Sequence, residues 1–246
     1  MMSNTNYGSK KKGSSKFVIV APHAAGDDIR TKEIAEEISR HLNSALVINE
    51  RYIKPSNSRA SSNPNRVEDF NKLSWSSTNQ KYLWQRKNPH MKEFYDHIKE
   101  FAEEARQYGA GKAIVVYVHG MADNPEQIGI DIGFGAKYHQ GRLKGTQGRR
   151  DKHPNAGRNT GLVRAKRVHM EELKDTLEEK LLVDNGLKAG IGKHYAAWSR
   201  QDGIQYHAGT KDHSMQLEIS SLLRKPNNIK SVAKLIADAL KEVYKT

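Results

Sequence analysis

Two histidines stand just beyond apolar, β-branched runs. Lys16-Phe-Val-Ile-Val-Ala21 is followed by Pro22-His23-Ala-Ala-Gly26-Asp27-Asp28, and Ala113-Ile-Val-Val-Tyr-Val118 by His119-Gly120. If both runs are strands of one sheet, the two imidazoles meet at the same sheet edge, next to a carboxylate from the Asp27–Asp28 pair. Two neutral imidazole nitrogens, one carboxylate oxygen and an open fourth position make up the donor set of a catalytic zinc ion, one per chain. Such an ion lowers the pKa of a bound water to about 7. Gly26 and Gly120 leave room for a substrate beside it. The ordinary alternative makes His23 a helix cap and His119 a satisfied turn residue. Two histidines in the same context, with an aspartate pair five residues after the first, favour the metal. The HExxH helix and the GxSxG elbow are both absent.

A third element carries the other reactive group. Met215 to Ser220 reads as a strand, with Gln216 and Glu218 on one face and Leu217 and Ile219 on the other. A glutamate in mid-strand is costly to bury without a partner. Either it anchors a neighbouring cation such as Arg224, or it is a general base whose pKa is tuned by burial.

These residues need a scaffold. Ala45 to Asn49 reads as a further buried strand. Ile34, Ile38 and Leu42 recur at helical spacing, as do Phe94, Ile98, Phe101 and Ala105 in a helix over Met91–Tyr108 that stops at Gly109. Leu173, Leu177 and Leu181 mark a helix over Val168–Val183, and Ile229–Tyr244 a closing helix. Strands alternating with amphipathic helices imply a single α/β domain over residues 16–246, with a mostly parallel central sheet flanked by helices. Residues 51–90 and 122–162 read as long irregular segments. In open α/β sheets, ligands bind beyond the carboxyl ends of the strands, where His23 and His119 fall.

Composition narrows the classes. Among 246 residues there is no cysteine, which removes thiol nucleophiles, cysteine metal sites and disulfides. No apolar run is long enough for a signal peptide or a membrane span, so a cytoplasmic protein is expected, with a frayed basic tail over residues 1–15. The net charge of +13 is concentrated in that tail and in the glycine-rich segment Gly141–Arg167. Such a charge suits an anionic substrate, and it leaves a nucleic-acid-binding protein on an α/β scaffold as the alternative.

Six segments, taken in order, resemble the N-formylglutamate amidohydrolase family. They are Pro22-His23-x-x-Gly26, Arg66-Val-Glu-Asp69-Phe-Asn71, His119-Gly120, Asp131-Ile-Gly133, Gly190-Ile-Gly192-x-His194-Tyr195 and His213-Ser-Met-Gln216-Leu-Glu218-Ile219. They span about residues 17–224. The family is related in fold to zinc carboxypeptidases and phage poly-γ-glutamate hydrolases. The resemblance implies a phosphorylase/hydrolase-like fold and one zinc ion, held by His23, Asp28 (with Asp27 as the fallback) and His119. It implies Glu218 as the carboxylate that activates water and Arg66 as the cation that grips a substrate carboxylate or polarises the scissile carbonyl. Asn71, His213 and Arg224 are expected to face the substrate, a small anionic amide or peptide. The first motif reads His-Ala-Ala-Gly where the family tends to have His-Ser-Gly, and Gly120 replaces a serine, which bears on the substrate more than on the chemistry.

Overall fold

The computed structural model describes residues 1–26, 28–54, 68–73, 75–76, 81–82, 89–139, 142–145, 164–199, 201–207 and 210–245. Twelve strands occur in chain order among them: β1 (Ser3–Asn4), β2 (Gly8–Lys11), β3 (Phe17–Ala21), β4 (Ala45–Asn49), β5 (Trp75–Ser76), β6 (Lys81–Tyr82), β7 (Ile114–Met121), β8 (Ile128–Gly133), β9 (Ala136–His139), β10 (Arg142–Gly145), β11 (Lys188–Ile191) and β12 (His213–Ser220). The helices are α1 (Thr31–Leu42), α2 (Pro89–Ala105), α3 (Arg167–Asn185) and α4 (Ile229–Val243). Eight strands form one sheet in the order β1-β2-β4-β3-β7-β12-β8-β11; β5–β6 and β9–β10 form separate two-stranded ribbons. The core of the sheet, β4-β3-β7-β12, is parallel, while β2 and β8 join it antiparallel.

Side-chain alternation along the strands divides the core in two. Ile19, Leu46, Val116 and Leu217 pack with α1, α3 and α4 through Ile34, Ile38, Leu173, Leu177, Ile236 and Leu240. Val18, Val20, Val47, Val115 and Tyr117 face α2 through Phe94, Ile98 and Phe101. The parallel strands are buried on both faces and therefore read as unbroken apolar runs. The segments expected to be irregular, 51–90 and 122–162, contain strands β5, β6, β8, β9 and β10, and β11 is a further strand that the sequence pattern did not mark. In β8, Ile128, Ile130 and Ile132 alternate with Gly129, Asp131 and Gly133. In β11, the short run Lys-Ala-Gly-Ile pairs parallel to β8.

The first residues are not a frayed tail. β2 extends the sheet beside β4, and Tyr7 is fully buried, edge-on to Phe94 at 5.1 Å with its hydroxyl 2.8 Å from His97 Nδ1. A Cβ on Gly8 would lie 2.4 Å from the Ile48 carbonyl oxygen, so only glycine allows this approach. The lysines that made the segment look disordered lie in or just after β2, the second strand from the sheet edge, and Lys10 packs over the Phe101 ring at 5.4 Å. Asp27, Arg66, Trp84 and most of the basic glycine-rich segment lie outside the described residues. No helix among the described residues is long and apolar enough to cross a membrane.

His207 is buried beneath the sheet, with Nε2 3.1 Å from the Tyr117 hydroxyl. Burial pushes its pKa down to about 3; Asp212 opposes this, while Arg164 and Arg106 add to it. The folded state thus keeps a neutral ring that the unfolded chain protonates below its ordinary value of 6.5. The resulting stability is present above that value and is lost as pH falls towards 3. At pH 5, about 1.5 units below the unfolded value, the loss is about 2 kcal/mol. The melting temperature should therefore fall between pH 7 and pH 5 by several degrees more in the parent protein than in His207→Gln. Parallel curves for the two proteins would show that His207 is not held neutral.

Candidate metal centre

The strand register brings the reactive groups together. β3 and β7 pair with Val20 opposite Tyr117, so His23, two residues past β3, reaches the level of His119 near the end of β7. In β12, Glu218 lies opposite His119 on one side and Asp131 of β8 on the other. His119, Glu218 and Asp131 thus form a polar row across three neighbouring strands, on the face away from Leu217 and Ile219.

Asp28 sits where these strands end and is 6 % exposed. Its Oδ2 lies 3.2 Å from His23 Nδ1 and 3.3 Å from His119 Nδ1, and it accepts the Gly120 N–H at 3.1 Å. His23, Asp28 and His119 are all buried, and their ligand atoms lie within 4.8 Å of one another, a grouping that fits a metal ion. The His23 ring is held from behind as well, with Nε2 2.7 Å from Asp69 Oδ1. Metal-bound histidines commonly have such a carboxylate on the far nitrogen, fixing tautomer and orientation. Among the described residues His119 Nε2 is buried with no hydrogen-bond partner, while the ring packs edge-on to His23 at 4.8 Å.

The charges agree with this donor set. Burial works to raise the Asp28 pKa, but hydrogen bonds from His119 and His23 outweigh it and hold the carboxyl well below the usual range. Burial works to lower His23, but Asp28 and Asp69 together raise it to about 9. His119 is driven down by burial, and the charge of His23 adds to this. One proton on His23 therefore offsets part of the charge of Asp28 and Asp69, and a dication bound to the same atoms would displace it.

A pocket of about 420 Å³ opens onto this group, and its lining includes Glu218, Gln216, Asn71, Lys54 and Tyr195. Glu218 is 7 % exposed, and its Oε1 accepts from Gln216 Nε2 at 3.1 Å. Burial, followed by the charges of Asp28 and Asp131, raises its pKa to about 8, with His23 and Lys54 opposing. The far wall is the segment from Lys193 to Ser199, which Asp131 fixes in place. Its carboxylate accepts the backbone N–H groups of Lys193, His194 and Tyr195 at 3.0, 2.7 and 2.9 Å. Gly133 and Gly190 permit that close packing: a Cβ on the first would lie 2.3 Å from the Tyr195 carbonyl oxygen, and one on the second 2.9 Å from Asp131 Oδ1.

Of the residues expected from sequence, His23, Asp28, His119, Glu218 and Asn71 come together here. Asn71 Oδ1 accepts the Gly203 N–H at 3.2 Å. His213 does not join them. It begins β12, roughly 17 Å along the strand from Glu218 at five residues of rise, and it points to the opposite face, where its ring packs against His169 and Tyr244. Arg224 pairs with backbone rather than with Glu218 or the pocket, donating to the carbonyls of Ile219, Met121 and Ile29. Arg66 lies outside the described residues. Asp69, Asp131 and Gln216 had no assigned role in the sequence reading. The strict Ile-x-Ile-x-Ile alternation around Asp131 was the available signal for a strand there.

No protein-family model and no curated protein matches the chain. Its fold is shared with solved structures. N-formylglutamate amidohydrolase from Ralstonia eutropha aligns with 12 % identity over 96 % of this chain and 94 % of that one, at a TM-score of 0.55. A gene product of Agrobacterium tumefaciens aligns with 15 % identity over 95 % and 93 %, at 0.53. A tripeptide-bound cell shape determinant protein from Helicobacter pylori aligns with 11 % identity over 98 % of this chain and 55 % of that one, at 0.52. At these identities the likeness shows the fold alone, a single α/β domain with a mostly parallel central sheet flanked by helices, as expected from the sequence.

The Asp69–His23 contact gives a direct test of the centre. Asp69→Ala should weaken zinc binding about 10–100-fold in a chelator competition, because His23 loses the acceptor that orients it. An unchanged affinity would make Asp69 irrelevant to the site.

Proposed function

We propose that this protein is a zinc-dependent hydrolase of an amide bond near a substrate carboxylate, of the kind found in N-acyl amino acids or glutamyl peptides. The observation that carries the reading is the convergence of His23, Asp28 and His119 beside the buried carboxyl of Glu218 in an open pocket. A zinc ion held by the three residues supplies a Lewis acid that acidifies water and polarises a carbonyl. The protein's own groups do the rest. Glu218 takes a proton from water and returns it to the departing amine, a role suited to a carboxyl whose burial favours the protonated form while a nearby dication favours the ionised one. Gln216 donates to Glu218 Oε1 and fixes its direction. Lys54, whose Nζ is 3.8 Å from Asp28 Oδ1, brings positive charge to the pocket for a substrate carboxylate, beside the Lys72–Asp202 ion pair, with Arg66 as the further cation that the family resemblance implies. The shared fold supports the reading by analogy alone; the site's residues carry the chemistry.

The decisive experiment combines metal analysis with one substitution. The purified protein should hold about one zinc per chain and hydrolyse members of a panel of N-acyl amino acids and γ-glutamyl peptides. Glu218→Gln should keep its zinc and lose about 10²–10⁴-fold in kcat with little change in KM, because it removes a proton acceptor and leaves the ligands in place. A Gln variant with bound zinc and near-parental turnover overturns the assignment of Glu218, and a parent protein without zinc overturns the whole reading.

A further inference from the structure

Arg224 is buried, 9 % exposed, on the turn that follows β12. A buried guanidinium is costly unless its donors are satisfied. Among the described residues no carboxylate pairs with it. Instead its fork reaches three separate chain segments: Nε donates to the Ile219 carbonyl at 3.0 Å, one terminal nitrogen to the Met121 carbonyl at 3.1 Å, and the other to the Ile29 carbonyl. Ile219 lies next to Glu218, Met121 two residues beyond His119, and Ile29 next to Asp28. The return contact comes from Arg30, which donates to the Arg224 carbonyl at 3.3 Å. Arg30 sits at φ 67, in the left-handed region where a non-glycine residue is strained, so the surrounding contacts must hold the backbone that carries Asp28.

Gly120 fits the same arrangement. Its N–H is the donor to Asp28 Oδ2, and a Cβ at this position would lie 2.5 Å from the guanidinium carbon of Arg224. Glycine is thus required between His119 and Met121 so that the guanidinium can pass under the strand end. Asp123, in the loop after β7, fastens the turn from the other side, accepting from Ser221 Oγ at 2.5 Å and from the Leu222 N–H at 2.9 Å.

We infer that Arg224 is a positioning residue that locks the loop carrying Asp28 to the ends of β7 and β12, so that Asp28, His119 and Glu218 stand at working distance before any metal or substrate arrives. This rests on the zinc hydrolase reading for its purpose but not for its geometry. Arg224 touches neither the substrate nor the metal ligands' side chains; it acts through three carbonyls. Lysine cannot replace it, since one ammonium lacks the planar fork that reaches three segments.

The test uses the whole protein in two states. In the metal-free protein, the Gly120 amide should be strongly protected from hydrogen exchange by its bond to Asp28, and Arg224→Met should reduce that protection at least tenfold while amides in the middle of β7 keep theirs. In the zinc-bound protein, Arg224→Met and Arg224→Lys should both lose about 10–100-fold in zinc affinity by chelator competition, and guanidinium ion should partly restore the affinity of Arg224→Ala. If Arg224→Met does not fold, Gly120→Ala displaces the guanidinium without removing it and should give the same two losses. A folded variant of either kind whose residue-120 amide keeps parental protection overturns the inference. A parent that binds no zinc overturns the hydrolase reading, and the exchange measurement on the metal-free protein still decides the role of Arg224.

Discussion

A single buried carboxylate sets the terms for the rest of the site. Asp28 is an anion placed where three strands end, and an unpaired charge there would cost several kcal/mol. Two imidazoles and a backbone N–H converge on its Oδ2. Each of those donors sits at a strand end, so the solvation of Asp28 requires β3 and β7 to end at the same level and the intervening turn to fold back. Asp28 N donates to the His23 carbonyl, and Thr31 caps the Asp28 carbonyl through its N–H and its hydroxyl. The polar network that satisfies the aspartate is also the one that brings the atoms of the candidate metal centre together, so folding and site assembly are one requirement.

The antiparallel strand β8 gives this end of the sheet its chemical asymmetry. Inserted beside β12, it places Asp131 opposite Glu218, so two carboxylates share one row. Asp131 is bonded to three backbone N–H groups of the following segment. Among the described residues Glu218 has Gln216 as its hydrogen-bond partner, and burial with neighbouring negative charge raises its pKa to about 8. Two carboxyls in adjacent registers thus take different work: one holds the pocket wall, the other is left able to carry a proton.

The sequence made some of this legible and concealed the rest for physical reasons. Strands buried on both faces, such as Phe17–Ala21 and Ile114–Met121, show as apolar runs, and the histidines at their ends follow from those runs. Strand Ile128–Gly133 was obscured by glycines and an aspartate on its second face, where Asp131 and Gly133 lie against the 193–199 segment and Gly129 against Leu187 and Leu223. Strand Gly8–Lys11 was obscured by its lysines, which sit near the sheet edge and keep their charged ends at the surface. His213 and Arg224 lie near Glu218 in sequence and so looked like partners in the pocket. Strand alternation turns His213 to the other face at the other end, and the turn after Ser220 points Arg224 beneath the sheet end. Proximity in sequence is a weak guide within a strand and weaker across its end; parity and position along the strand decide.

The same logic explains how a fold can persist at 11–15 % identity while its function must be argued from local detail. The sheet order demands little more than apolar alternation of the right period, and many residues satisfy that. The centre demands specific groups at specific registers: His23 and His119, 96 residues apart, brought to one level by the pairing of β3 with β7. Flexible loops could not hold that geometry against the mutual repulsion of buried charges, whereas adjacent hydrogen-bonded strands fix it to within a fraction of a residue's rise. His119 accordingly lies on a strand and His23 two residues past one, and the polar lining beyond them includes Lys54, Lys72, Tyr195 and Trp198.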